Sequence, residues 1–462
     1  MHTSQKTTNL QQNRIQECSQ SFNTNRFFNL LTRPELLSTV EGLLPKHRER
    51  TFPPTETLSM FLSQAMNADR SCQNIINELA VQRAIHGLPA HSTYTGGYCK
   101  ARQRLPTSMV SELTRCTGKL LDKELPSHWR WQGRRVRLID GTTATMPDTP
   151  ENQNTYPQQR TQKPGLGFPI CRIVGVICLA SGGILNAAVG PYKGKGASEQ
   201  SLLRGLLDTF EADDVVLGDA FYASYFLLAE LINRRVDGVF EQLGARKTCT
   251  DFRTGQRLGK TDHLITYEKP KKKPAWMTEM DYRTAPDTLT VRELKVGHKI
   301  LVTTLLSPGE TPKQLLKKLY KDRWHVELDL RNIKTTLGME TLSCRTPEMI
   351  KKEIWVYFLA YNLIRILMAQ SALLADLLPR QLSFKHTLQL WRSWRQQSSL
   401  IDDCEGLQVL LMLIAENTVG NRPGRIEPRV IKRRPKPYSL MTKIRAKARE
   451  QVKKYGHPKK QK

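Results

Sequence analysis

Asp140, Asp219 and Glu327, with the basic and aromatic residues around the last of them, are the positions in this 462-residue chain best suited to chemistry. Asp140 follows the apolar run Val136, Leu138, Ile139, and Asp219 follows Val215, Val216, Leu217, so each is expected where a short strand ends and the chain turns. The ends of strands are where α/β sheets place their ligands. Two neighbouring strands of this kind would present two carboxylates from one sheet edge. Hard oxygen donors grouped in that way suit Mg2+ or Mn2+, and a pair of such ions can clamp both oxygens of a phosphodiester displacement. Singly, either aspartate reads as a turn residue, since Asp-Gly is ordinary loop chemistry.

The segment around Glu327 is more specific. Tyr320, Arg323, Glu327 and Lys334 stand at offsets of 0, 3, 7 and 14 residues. On a regular helix these fall at about 0, 300, 340 and 320°, one narrow arc that Arg331 joins at about 20°. Asp329 points to the opposite face, and His325, about 140° away, reads as structural. A carboxylate flanked by Arg and Lys along one helix face can hold a metal while the bases grip phosphates. The same spacing of Arg323 and Glu327 also allows a simple intrahelical ion pair.

The elements that must position these residues can be followed along the chain. Residues 1–125 carry helical periodicity, as in Leu58, Phe61, Leu62 and Ala65, and read as an all-helical N-terminal unit that binds DNA. Within it Lys100, Arg102 and Arg104 form a basic stretch that either touches DNA or is solvated. Strands are expected at 136–139, 173–179 and 184–189, with a hairpin at Ser181-Gly182-Gly183. A helix capped by Ser198 is expected to reach Phe210, followed by the strand before Asp219, a helix from Tyr222 to Arg235 and a strand from Gly238. This order is the ribonuclease H-like α/β arrangement. Residues 247–312 break it as a β-rich insertion. A helix should then start at Thr311-Pro312 and run to Leu337, stopped by Gly338. The division expected is 1–125 helical, 126–246 first part of the core, 247–312 insertion, 313–420 second part and C-terminal helices, and 421–462 a basic tail.

Composition favours a polyanionic partner. Lys and Arg number 71 against 43 Asp and Glu, a formal charge of +28, of which the tail from Asn421 carries half. Nine cysteines without a Cys-x-x-Cys pair read as reduced thiols in a cytoplasmic setting, against zinc ribbons or a secreted disulfide scaffold. The polar start MHTSQKTTNLQQNR shows no signal peptide. The apolar stretch from Ile354 to Ala375 contains Asn362 and Arg365 and reads as a buried core helix, so no membrane is expected as a partner.

Tyr320, Arg323, Glu327 and Lys334 reproduce the signature Tyr-x2-Arg-x3-Glu-x6-Lys, and here the chain resembles the DDE transposases of bacterial insertion sequences, in the branch named after insertion sequence four. Leu138-Ile139-Asp140-Gly141 and Leu217-Gly218-Asp219-Ala220-Phe221-Tyr222 are similar to that family's two aspartate blocks, and the tail from Asn421 to Pro437 is similar as well. The resemblance implies that Asp140, Asp219 and Glu327 are the catalytic, metal-binding triad for two Mg2+ or Mn2+ ions. It implies strand cleavage at the terminal inverted repeats, a hairpin intermediate, and transfer into target DNA, with double-stranded DNA as partner and a homodimer in the synaptic complex. Tyr320, Arg323, Lys334 and Arg331 would bind DNA, and Trp276 in the insertion would stack a flipped base. Two alternatives stay open: a ribonuclease H-like nuclease that cleaves without strand transfer, and a DNA-binding repressor without catalysis.

Overall fold

The computed structural model describes residues 52–85, 87, 92–194, 196–397, 403–419 and 442–456. Among them, nine strands join into one sheet: β1 (Val136–Thr145), β2 (Ile170–Cys178), β3 (Ile184–Pro191), β4 (Val215–Gly218), β5 (Asp237–Glu241), β6 (Gln256–Gly259), β7 (Asp262–Glu268), β8 (Thr288–Val296) and β9 (Lys299–Thr303). Their spatial order is β3-β2-β1-β4-β5-β9-β8-β7-β6. Pairing is parallel for β1 with β4 and β4 with β5, and antiparallel elsewhere. The β-type segments of 247–312 therefore extend the same sheet through β9, which pairs with β5.

Strand β1 begins where the apolar run begins but does not stop at Asp140. Its antiparallel pairing with β2 continues through Asp140↔Gly175 to Thr145↔Ile170, while its parallel pairing with β4 is confined to Val136↔Val215, Arg137↔Val216 and Leu138↔Leu217. Asp140 thus lies where β1 parts from β4, held on one side only. The helix expected from Ser198 to Phe210 is also shorter: it runs Glu199–Arg204, and a 3-10 turn Leu207–Thr209 follows Gly205.

Val136, Leu138, Ile139, Val215, Val216 and Leu217 are buried at the centre of the sheet. Two helices, Thr107–Lys123 and Pro347–Leu374, pack against each other and onto β3. The second is apolar on nearly every side and buried on nearly every side, as a core helix must be. By length and composition it could cross a membrane, yet 89% of its most apolar window lies inside the protein. Asn362 on this helix donates to the carbonyls of Thr114 and Ile184 and accepts from the Ile184 N–H at 2.8 Å, which locks helix, helix and strand together. The helices Pro54–Met66, Cys72–Ile85 and Gly96–Arg104 precede them. Arg102 is buried between the rings of Phe61 and Tyr98, so the basic stretch on that helix is not a continuous solvated face. Residues 1–51 and most of the basic tail lie outside the described residues; the described part of the tail, 442–456, contains the helix Arg445–Tyr455.

The long helix expected over 312–337 is divided. Lys313–Asp322 and His325–Arg331 are α-helical with a break at Arg323-Trp324, and Asn332–Thr336 is a π-helical turn. Gly338 ends the run at φ +90°, and Arg70 from the helical region donates to the Leu337 carbonyl at 3.1 Å. The whole run is anchored by Asp329. Its fully buried carboxylate accepts from Arg365 at 2.5 Å, from Tyr361 at 2.9 Å and from Arg380 at 2.7 and 2.8 Å. Asp329 therefore faces the core helix, and Glu327 faces away from it.

Replacing Asp329 with Ala leaves the buried Arg365 guanidinium without its counter-charge, a loss expected to cost about 3–5 kcal/mol. Chemical denaturation of the full chain measures this. A change below about 1 kcal/mol would show that the anchor carries little of the fold.

Candidate active site

The parallel register of β1 and β4 determines the geometry of the site. Leu138 pairs with Leu217, so Asp140 and Asp219, each two residues further on, leave the shared edge side by side. Asp140 Oδ1 accepts from the Gly141 N–H at 2.8 Å. Asp219 caps the 3-10 turn Ala220–Tyr222, accepting from the Phe221 N–H at 2.9 Å. Each carboxylate is oriented by its own backbone through one oxygen, leaving the second oxygen for a ligand.

Glu327 sits on the His325–Arg331 helix, which packs on β1. Its Oε1 accepts from Arg323 Nη2 at 3.0 Å, the ion pair that the spacing allows. The Arg323 guanidinium also acts electrostatically on Asp140, so it stands between two members of the acidic set. Tyr320 is buried, and its hydroxyl finds no acceptor among the described residues. Burial pushes that phenol up, the charges of Glu241 and Asp219 add to the effect, and Arg323 and the Glu241 backbone N–H oppose it. An orphaned buried donor facing acidic groups is a place for an acceptor from outside the chain.

Asp140 carries the clearest electrostatic mark. Burial raises its carboxyl to about 6, the Gly141 N–H and Arg323 oppose this, and Asp219 and Glu199 add to it. A half-buried acid near like charges is the setting that a cation relieves. The donors are all hard carboxylate oxygens, which fits Mg2+ or Mn2+. Among the described residues, however, no three acidic, His or Cys side chains converge closely enough to enclose an ion as they stand, and Glu327 is engaged by Arg323.

The other expected residues fall into place unevenly. Lys334 lies within the π-helical turn, not on a regular helix, and its charge reaches Cys171 at the start of β2. Arg331 is exposed. Trp276 is 46% exposed, with the Arg204 guanidinium 3.7 Å from its ring centre and Phe226 edge-on at 6.1 Å. His325 is half-buried near Arg380 and Arg365, and burial first, then the Arg380 charge, lower it to about 4, with Asp329 opposing and Arg365 adding, so it stays neutral. One acidic residue in the site had no signal in the sequence. Glu199 reaches Gly141 and Tyr222 from a helix some sixty positions after Asp140, and nothing in its spacing marks it.

Residues 131–363, half of the chain, match the family described as the transposase DDE domain, and the chain belongs to that family of metal-dependent DNA transposases. It is 29% identical over 434 residues to the transposase InsG for insertion sequence element IS4 of Escherichia coli K12, covering 89% of this chain and 92% of that protein. It is also 32% identical over 133 residues to the putative transposase InsZ of the same organism, covering 29% of this chain and 44% of that one. Among solved structures, a piggyBac transposase synaptic complex with hairpin DNA aligns with a TM-score of 0.40 at 11% identity, over 86% of this chain and 80% of that one. The acidic edge is thus in an enzyme whose family generally uses divalent metal ions.

The raised carboxyl of Asp140 makes the metal-free protein sensitive to pH. Because its folded value, about 6, lies above the ordinary 3.8, the folded state holds the proton more tightly, and stability falls as pH rises between those two values. Asp140→Asn removes this loss. In chelator-treated protein its melting temperature relative to wild type should rise from pH 4 to pH 7; an equal difference at both pH values would contradict the environment described for Asp140.

Proposed function

We propose that this transposase cleaves the terminal inverted repeats of its element and joins the freed ends to target DNA, using Asp140, Asp219 and Glu327 as its metal-holding residues. The single observation that carries the reading is the in-register pair Asp140 and Asp219 on β1 and β4, with the Glu327 helix packed on β1. The strand order β3-β2-β1-β4-β5, with β1, β4 and β5 parallel, supports a ribonuclease H-like core. We take residues 126–246 and 313–420 as the two parts of that core, 247–312 as its insertion, 1–125 as the DNA-binding helical domain and 421–462 as a basic tail.

Asp140 and Asp219 would hold two Mg2+ or Mn2+ ions between them, with Glu327 completing the set once Arg323 is drawn to DNA. The ions, when bound, supply Lewis-acid activation of the attacking and leaving oxygens. The chain does the rest by positioning. Arg323, already poised between Glu327 and Asp140, transfers its hydrogen bonds to a phosphate and so couples DNA arrival to release of Glu327. The orphaned Tyr320 hydroxyl donates to a phosphate oxygen, and Lys334 and the exposed Arg331 hold the strand on either side. The first cut, by water, leaves a 3′-hydroxyl, which attacks the opposite strand to form a hairpin and displaces the flanking DNA; hydrolysis of the hairpin frees that 3′-hydroxyl again for joining to the target, and Trp276 offers a ring for a displaced base. A homodimer would pair the two ends.

Incubating the full chain with its terminal-repeat DNA and Mg2+ tests this. Strand cleavage with a hairpin product is expected, and Glu327→Gln and Asp219→Asn should each slow cleavage on the order of 10³-fold. Cleavage without a hairpin favours the nuclease reading, binding without cleavage favours the repressor, and variants that cut at the wild-type rate overturn the site.

A further inference from the structure

Gly141 is unusual for an interior strand residue, because a glycine there weakens the strand and no positive φ requires it. The space that its missing Cβ leaves is filled by Glu199. A Cβ at position 141 would lie 2.2 Å from Glu199 Cδ and 2.4 and 2.6 Å from its two carboxylate oxygens. Glu199 opens the Glu199–Arg204 helix, whose Ser198 cap accepts from the Ser201 N–H. Its Oε2 accepts a hydrogen bond from the buried Tyr222 hydroxyl at 3.3 Å. The next residue, Gln200, donates to the Phe221 carbonyl. This one short segment therefore touches β1 immediately after Asp140 and the turn immediately after Asp219.

A residue serving only to fill the gap over Gly141 would be apolar. Glu199 instead brings a carboxylate beside Asp140, and no Lys, Arg or His among the described residues forms an ion pair with it. Such a placement costs stability and persists where it positions something. We propose that Glu199 is a positioning residue for the metal-holding pair: its carboxylate, seated on Gly141 and gripped by Tyr222, sets the spacing between Asp140 on β1 and the Asp219 turn. This inference rests on the reading of Asp140 and Asp219 as metal ligands. It adds that Gly141, Glu199 and Tyr222 form one mechanical unit behind them.

The test is Mn2+ binding to the full chain without DNA, read from the loss of the free-ion paramagnetic resonance signal. Glu199→Ala removes the carboxylate, and Gly141→Ala displaces it while leaving it in the chain. Both should weaken Mn2+ binding about tenfold, the scale on which residues supporting metal ligands act. Glu199→Gln keeps the volume and an acceptor oxygen for Tyr222 and should bind within about threefold of wild type. Wild-type binding by Glu199→Ala overturns the proposal, and so does a Gln variant as weak as Ala, since charge and not position would then be acting. Thermal melting without metal identifies a variant that fails to fold, in which case the remaining variants decide. Asp219→Asn separates the two levels: wild-type Mn2+ binding by that variant means that the metal-site reading itself has failed.

Discussion

The parallel pairing of β1 with β4 is the constraint on which the rest of the site depends. It lasts for only three residue pairs, from Val136↔Val215 to Leu138↔Leu217, and the six buried apolar side chains of these two strands hold it at the centre of the sheet. Two residues beyond the last pair, both chains carry an aspartate. Because β4 ends while β1 continues along β2, an edge opens beside Asp140 without loss of its support. A slip of one residue in either strand would turn one aspartate to the other face and separate the pair.

A second fixed point sets where Glu327 can be. Two residues apart on one helix, Asp329 and Glu327 differ: Asp329 is buried and bound by Arg365, Arg380 and Tyr361, while Glu327, among the described residues, pairs with the guanidinium of Arg323. The fully satisfied carboxylate makes a rigid anchor, and the singly paired one makes a group that can change partners. Glu199 contributes similarly from the far side, joining the supports of the two aspartates. Burial raises the carboxyl of Asp140, and the charges of Asp219 and Glu199 add to the effect, which is the setting that a cation relieves.

Much of this was legible in the sequence. The short apolar runs before Asp140 and Asp219 announced strands, and the offsets from Tyr320 to Lys334 announced a helix face, with Asp329 and His325 assigned correctly to the other side. What the periodicity could not show was irregularity. The break at Arg323-Trp324 and the π-helical turn through Lys334 alter the angular register that a uniform helix would give. The extension of β1 past Asp140 depends on β2, a partner some thirty residues away, and no local pattern reports it. Glu199 was invisible for the same reason: its contact with Gly141 spans 58 positions and is created by packing. Trp276 was named by residue type alone, and its contacts with Arg204 and Phe226 come from packing that no local pattern reports.

The β1–β4 edge, on this reading, is a metal site. Anomalous diffraction from crystals of the full chain grown with Mn2+ tests it most directly. A manganese peak within coordination distance of carboxylate oxygens from both Asp140 and Asp219 is expected. A clear peak elsewhere, with both aspartates free of metal, would contradict it.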